Sequence, residues 1–580
     1  MLRLAALCPL VFLPLVASCA TSNAPGGKRH PNVIVIMTDD QGMGDLGCLG
    51  NPVLETPNID RLAEQSARLA NFYVSPVCTP TRASLMTGRY AYRTRAIDTY
   101  IGRAMMDPDE VTMAEVLHDA GYRTGIFGKW HLGDCYPMRA CDQGFDQALV
   151  LRGGGLAQPS EPRENNGRYT DAILFRNGKQ VQTKGYCTDV FFDAAIEFVR
   201  DNKNQPFFLY VPTNTPHTPL ADVPRALYEK YRTRDLSAVL PDGNATRDAT
   251  ARVFAMIENI DQNVGRLLGA VEELGLADDT IVVYLHDNGP QQARANAGLR
   301  GRKGEVFEGG VRSPLFVRWP GRLRPGAVDT EVGMHIDVLP TVLDLAGVAA
   351  PEDVKLDGRS LRPVLEGAPL SWPERLLVTQ AHRGDRPVRG HNAAVRGARY
   401  KLVHATGFGR EQPAEDTPWQ LFDLTTDPGE QNDVAAQFPE VVTTMHDAYD
   451  KWFDDVSATR PDNYDPPRIV IGTDHEPVTT LTRQDWRPVH GNGWGDRGRW
   501  LLHFTNDHVY EIKVLLREPK GPARARMSIG NVRRTLQIDA DTTEFAFPTI
   551  EIREGDYPLE VILDDSTGLY GPYQVVVTRY

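Results

Sequence analysis

A chain of 580 residues is too long for one core of ordinary size, so two or three packed units are expected. With 41% hydrophobic and 24% charged residues it has the balance of a folded globular protein, not of a disordered or membrane-embedded one. The net charge of −13 argues against a nucleic-acid partner, which requires clustered excess Lys and Arg, so any bound anion must be drawn by a local pocket.

The chain opens with Arg3 and an apolar run from Leu4 to Val16, too short to span a bilayer and read as an export signal. Val16-Ala17-Ser18-Cys19 resembles the cleavage box of bacterial lipoproteins. Residues 1–19 are then expected to be the signal peptide and Cys19 to carry a lipid that anchors the chain to a membrane; the alternative is an ordinary signal peptide cut nearby. Ala20 at the next position favours the outer membrane, facing periplasm or exterior, and 20–31 form a linker.

Asn32 to Met37 is a continuous apolar run, as expected for a strand buried on both faces of a parallel sheet, and it ends in Asp39-Asp40. A helical pattern follows at Asn58 to Ala67 and another at Val111 to Ala120. The short run Thr124 to Phe127 then leads to Lys129 and His131. After a helix from Val190 to Asp201, Phe207 to Val211 runs on to His217. After a longer helix, Thr250 to Leu274, the strand Ile281 to Leu285 empties into Asp287-Asn288-Gly289. Strand and helix alternate, which implies an α/β sheet with its ligand crevice beyond the carboxyl ends of the strands. Asp39, Asp40, Asp287 and the Asn288 carbonyl are hard oxygen donors, suited to calcium or magnesium and not to zinc or copper. Export favours calcium. Beyond the signal there are five cysteines, Cys48, Cys78, Cys135, Cys141 and Cys187. Cys135 with Cys141 and Cys48 with Cys187 are possible pairs, and the odd number leaves one in need of a chemical role.

The segment Ser75-Pro76-Val77-Cys78-Thr79-Pro80-Thr81-Arg82, continuing through Leu85 to Gly88, resembles the signature of formylglycine-dependent sulfatases, which belong to the alkaline phosphatase superfamily. Further blocks resemble that family in its order: Asp39-Asp40-Gln41-Gly42, Gly128 to Gly133, Pro216-His217-Thr218-Pro219, Asp287-Asn288-Gly289, and Lys303 before Glu308-Gly309-Gly310. The resemblance spans about residues 32 to 455. It implies an alkaline-phosphatase-like mixed sheet flanked by helices, and a maturation enzyme that oxidises Cys78 to formylglycine. It also implies sulfate-monoester hydrolysis on one divalent metal held by Asp39, Asp40, Asp287, Asn288 and residue 78. In that scheme Arg82 stabilises the ionised diol, Lys129 and Lys303 bind sulfate oxygens, His217 protonates the leaving oxygen and His131 deprotonates the second diol hydroxyl. His335 and Asp337, just before an apolar helix, are assigned to structure.

The catalytic domain is placed at 32–375. The Gly-rich loop 152–168 and the segment 291–300 should border its pocket, with Arg152, Gln291 and Arg294 as substrate contacts. Residues 376–460 read as a smaller antiparallel sheet-and-helix unit, with strands at Leu376 to Thr379, Ala393 to Arg396 and Arg399 to His404, a turn around 421–430, and a helix near Pro439 to Phe453. A Pro-rich linker at 462–467 leads into seven short strands between Trp500 and Thr578, spaced like a β-sandwich occupying 461–580. A packing role is preferred for it over a carbohydrate-binding module with Trp486, Trp494 or Trp500 as sugar platform. The expected substrate is a sulfated carbohydrate. The rivals are a phosphonate monoester or phosphodiester hydrolase of the same superfamily, and a non-catalytic glycan-binding surface protein.

Overall fold

A computed structural model describes residues 30–240, 243–368, 374–489, 494–518 and 521–580; the export segment and Cys19 lie outside them. Ten strands form one mixed sheet: β1 (Asn32–Thr38), β2 (Ala67–Tyr73), β3 (Arg123–Lys129), β4 (Gln147–Leu151), β5 (Ile173–Arg176), β6 (Lys179–Gln182), β7 (Phe207–Pro212), β8 (Thr280–His286), β9 (Arg312–Arg318) and β10 (Val328–Met334). Their spatial order is β10-β2-β9-β8-β1-β7-β3-β4-β5-β6. The central five, β8 to β4 in that order, run parallel, and β9 lies antiparallel to both β8 and β2.

The continuous apolar run of β1 has the expected cause. Val33, Val35 and Met37 join one core layer with Phe208, Tyr210 and Val283, while Ile34 and Ile36 join the opposite layer with Leu209, Val282 and Tyr284. Helices Cys187–Asp201 and Arg247–Glu273 cover that second layer, through Phe191, Ile196, Met256 and Ile260 among others. Helices Cys78–Thr87, Met113–Asp119 and Val338–Ala346 cover the first. The sequence reading leaves out β4, β5, β6 and β9 as well as β2 and β10. The last two run near the sheet's edge and carry polar residues such as Arg68, Asn71 and Glu331, so neither shows an unbroken apolar run.

The smaller unit is a four-stranded antiparallel sheet, β11 (Leu377–Gln380), β12 (Ala393–Arg396), β13 (Tyr400–His404) and β14 (Gln420–Asp423), packed on helix Pro439–Ser457. Leu421 to Asp423, read as part of a turn, are therefore strand. The C-terminal region is a sandwich of two sheets with a shared core in which Trp486 and Trp500 are fully buried. Met105, Cys135 and Met138 of the catalytic unit enter that core, so the two units share apolar packing. The run read as a linker is pinned down as well: Arg95 and Arg103 pack on the Tyr464 ring, and Arg95 pairs with Asp462. The five cysteines among the described residues are free thiols, so neither possible pair is formed, and Cys187 is buried. The Cys135 thiol points across the domain seam to the Thr480 carbonyl, and that of Cys187 turns to Asn214. Among the described residues no helix is long and apolar enough to cross a membrane.

Candidate active site

The parallel strands end level with one another: Thr38 pairs with His286, Met37 with Pro212 and Lys129 with Leu151. Everything that follows them therefore emerges at one rim. The chain is stitched together just past that rim, with the Asp39 amide donating to the Thr215 carbonyl (3.2 Å) and the Asp287 amide to that of Thr38 (2.9 Å). Gly128 lets β3 and β7 approach, because a Cβ there would sit 1.9 Å from the Pro212 carbonyl oxygen.

Cys78 is the first residue of helix Cys78–Thr87, all ten residues of which are buried. The positive end of the helix thus faces the rim. Thr81 holds this end to the β8 loop, its hydroxyl donating to the Asp287 carbonyl at 2.7 Å. One turn on from Cys78, Arg82 donates to Asp287 Oδ2 (2.9 Å), Asp39 Oδ2 (3.3 Å) and the Lys129 carbonyl (2.6 Å). Lys129 Nζ donates to Asp39 Oδ2 at 2.5 Å, and Lys303 Nζ pairs with Asp40 Oδ1 at 2.6 Å. Lys303 comes from a loop bonded on one side to Pro290 and on the other to Pro76, so it spans the metal-ligand and cysteine loops.

Three carboxylates, Asp39, Asp40 and Asp287, are thus matched by three cations, Arg82, Lys129 and Lys303. Burial raises the Asp39 carboxyl, but Lys129 first, then His217 and Arg82, outweigh it and hold it well below the usual range. Burial and the neighbouring Asp39 push Asp287 up. The Cys78 thiol is raised by burial, against Lys129 and Lys303. Burial, then Lys129 and Arg82, drive His131 well below the ordinary imidazole value; burial and Lys303 lower His217.

Among the described residues three buried oxygens in this cluster have no hydrogen-bond partner: Asp39 Oδ1, Asp40 Oδ2 and Asn288 Oδ1. Asn288 is aimed by its own amide, which donates to Asp40 Oδ1 (2.8 Å) and the Gly289 carbonyl (2.9 Å). Ligand atoms of Asp39, Asp40 and His217, and likewise of Asp39, Cys78 and Asp287, lie within 4.8 Å of one another. Buried oxygens without partners are costly unless a cation takes them, so this donor set fits a hard divalent ion.

Above the cluster is a cavity of about 330 Å³ lined by Cys78, His131, His217, Gln291 and Lys303. His217 has Nδ1 on the Thr218 carbonyl (2.7 Å) and Nε2 3.8 Å from Asp40. His131 Nε2 faces the Thr99 carbonyl at 3.0 Å, while its Nδ1 is buried without a partner. Gln291 lines the cavity as expected, but the other two anticipated substrate contacts do not. Arg294 is buried in a double contact with Asp45 (2.8 and 2.6 Å) and donates to the Asp40 carbonyl (3.2 Å), bracing the ligand loop from behind. Arg152 packs its guanidinium 4.3 Å from the Phe175 ring centre, away from the cavity. His335 is buried against the Ser75 hydroxyl at 3.1 Å and Asp337 pairs with Arg375, both structural as assigned.

The wall is completed by Tyr100, Arg383 and Phe408, which the sequence reading did not single out, by Gln158, inside the loop expected to border the pocket, and by Trp494, named there as a possible sugar platform. Arg383 follows β11 by three residues, but β11 lies in an antiparallel sheet, whose strand ends do not share one rim, so the rule for parallel strands did not reach it. Its guanidinium lies 4.2 Å from the Tyr100 ring centre and 4.3 Å from that of Phe408. Tyr100 and Phe408 carry no local signal.

Comparison with known proteins agrees with this geometry. The family model described as Sulfatase matches residues 31–348, and that described as N-sulphoglucosamine sulphohydrolase, C-terminal, matches 302–453. Human arylsulfatase A is 32% identical over 481 residues, covering 72% of this chain and 86% of its own. The N-acetylglucosamine-6-O-sulfatase of Bacteroides thetaiotaomicron is 28% identical over 516 residues, covering 74% and 86%. The crystal structure of Ps i-CgsB in complex with k-i-k-neocarrahexaose matches with a TM-score of 0.65 at 27% identity, over 76% of this chain and 95% of that one. With its alkaline-phosphatase-like fold, the chain belongs to the sulfatase family and is a sulfuric ester hydrolase.

Proposed function

We propose that this enzyme hydrolyses sulfate monoesters of a carbohydrate, using a formylglycine made from Cys78 by a maturation enzyme and a calcium ion held by Asp39, Asp40, Asp287 and Asn288. The observation that carries the reading is Cys78 at a buried helix N-terminus beside three unpartnered oxygens, with two lysines and two histidines around them. Calcium, when bound, supplies Lewis-acid polarisation of the sulfate and lowers the pKa of the hydroxyl on residue 78. The hydrated aldehyde supplies the attacking oxygen.

The remaining work falls to the chain's own side chains. Lys303, at the cavity wall, and Lys129, beneath it, offer Nζ donors to the non-bridging sulfate oxygens as charge builds. Arg82 is already bonded to both flanking carboxylates and keeps the ligand set rigid while balancing its charge. His217 Nδ1 donates to the Thr218 carbonyl, which fixes the ring, and Nε2 lies 3.8 Å from Asp40; as the imidazolium, His217 gives its Nε2 proton to the departing sugar oxygen. His131, whose Nδ1 has no partner, takes the proton that lets the sulfated intermediate break down.

A singly charged sulfate ester suits one divalent ion and two lysines better than a doubly charged phosphate monoester does, which favours this reading over a phosphatase; phosphonate monoesters and phosphodiesters carry the same single charge, and against that alternative the reading is supported by the sulfatase relatives. The carbohydrate substrate is supported by the sugar names carried by several relatives. The test is free-sulfate release from sulfated saccharides by protein whose residue 78 has been mass-measured and whose metal content has been analysed. Sulfate release that is lost in Cys78→Ala and on chelation is expected, with calcium as the recovered metal. Cleavage of phosphodiesters or phosphonates alone would overturn the proposal.

A further inference from the structure

Both family matches end by residue 453, yet one wall of the cavity over Cys78 is built by a residue far beyond that point. Trp494 belongs to the appended sandwich. Its carbonyl accepts a hydrogen bond from the indole of Trp486 (2.8 Å), and Trp486 is fully buried against Trp500 in the sandwich core. Two residues on, the Asp496 carbonyl accepts from the Gly571 amide at 2.5 Å. The sandwich core thus fixes the backbone that carries Trp494.

The Trp494 ring is only partly buried, and it stacks on Tyr100 of the catalytic unit with centroids 4.9 Å apart and planes 28° off parallel. The seam beneath this pair is closed by hydrogen bonds. The Gly102 amide donates to the Gln484 carbonyl (3.1 Å), Gln484 Nε2 to the Thr99 carbonyl (2.6 Å), and Arg487 to the Ile101 carbonyl (2.9 Å). A second cavity, of about 410 Å³, is lined by Pro159, Asp496, Arg517 and Tyr573 among others. The two cavities are walled by neighbouring residues, Gln158 and Pro159 on one side, Trp494 and Asp496 on the other.

A partly buried aromatic pair, held rigid in the wall of a polar pocket, is a surface on which the apolar face of a pyranose ring packs. We propose that Trp494, stacked on Tyr100, is a specificity-determining platform for a pyranose ring of a sulfated oligosaccharide, whose chain passes from the Cys78 cavity over Trp494 towards the cavity at the seam. The sandwich is then part of the substrate site and not a separate packing module. The inference rests on the sulfate-ester reading of the Cys78 site.

The experiment uses the full-length enzyme, with metal and residue 78 verified. It compares Trp494→Ala, Trp494→Phe and Tyr100→Ala with wild type on carrageenan and chondroitin sulfate di- and tetrasaccharides and on p-nitrophenyl sulfate, an ester with no sugar. For the saccharide best hydrolysed, Trp494→Ala is expected to raise KM by about tenfold. It should also lower kcat/KM on that saccharide by about ten times more than on p-nitrophenyl sulfate. Trp494→Phe, which keeps a ring, should restore most of the difference. Equal losses on both esters would make Trp494 merely structural and overturn the proposal, as would an unchanged saccharide KM. Wild type that cleaves p-nitrophenyl sulfate but no saccharide overturns the platform alone, whereas wild type that cleaves neither overturns the reading of the site with it.

Discussion

Asp40 and His131 have φ angles of 62° and 59°, in the left-handed region that residues with a Cβ rarely occupy. Each costs on the order of 1 kcal/mol or more, and such strain persists only where surrounding contacts over-determine the position. Here those contacts are the site itself. At this scale the roles of individual groups can be separated by leaving-group chemistry. A sugar alkoxide leaves poorly without a proton, while a phenolate leaves readily, so the loss of a general acid is felt mainly on the sugar ester. His217→Ala is therefore expected to lower kcat by about 10²–10⁴-fold on a saccharide sulfate and much less on an activated aryl sulfate. Steady-state rates on the two esters check this, and parallel losses would remove the proton-donor role. Arg152 and Arg294 show the limit of reading single residues: an arginine near the right loop is equally able to bind an anion outside or a carboxylate inside, and only packing decides.

The segment 301–311 shows how elements position the site. Gly309 and Gly310 let this loop fold onto itself, since a Cβ on either would fall 2.2 Å from the Gly301 carbonyl oxygen or 1.9 Å from that of Glu305. The short helix Glu308–Val311 is then tied to the small sheet by Lys401 on β13, whose buried Nζ contacts Glu308 (2.9 Å) and Glu430 (3.0 Å). The small sheet thus anchors the loop that carries Lys303. Lys401→Met would leave buried Glu430 without its cation and Glu308 with Arg312 at 3.5 Å in place of two cations, a change worth about 3–5 kcal/mol of stability. A lowered thermal midpoint is expected, partly restored when Glu308→Gln and Glu430→Gln are added. A midpoint unchanged by Lys401→Met alone would show that the cluster carries no such energy. Glu430 sits in the stretch read as a turn, and its partner Lys401 lies 29 positions earlier in the chain, so nothing local advertised the pair.

Across the whole molecule, the seam between catalytic unit and sandwich buries acidic groups. Burial raises the carboxyls of Asp134, Glu161, Glu476 and Asp485, with Arg152 the cation opposing it at Asp134 and Asp485. Neither oxygen of Asp485 has a hydrogen-bond partner among the described residues. A carboxyl whose folded pKa lies above its unfolded value keeps its proton on folding. Its contribution is therefore least unfavourable below the ordinary range near pH 4, and stability is lost as pH rises above it. Asp485→Asn removes this charge while keeping the shape. It should raise the thermal midpoint by an amount that grows from pH 5 to pH 8; a difference independent of pH would show that Asp485 is not protonated in the fold.

Legible in the sequence alone were the α/β alternation, seven of the eleven described sandwich strands and every ligand and catalytic candidate that follows a parallel strand. The reason is that a strand buried on both faces must be an apolar run, so polar residues at its end stand out and must emerge at one rim. The helix N-terminus at Cys78 was legible through its signature. Only the tertiary structure decided the free thiols, the inward turn of Arg152 and Arg294, and the cavity wall of Tyr100, Arg383, Phe408 and Trp494. Those depend on contacts between residues tens to hundreds of positions apart, which leave no period or spacing behind. Trp486, Trp494 and Trp500 lie within one short stretch of chain, yet two are core and one faces the cavity, because burial is set by what the rest of the fold brings against each ring.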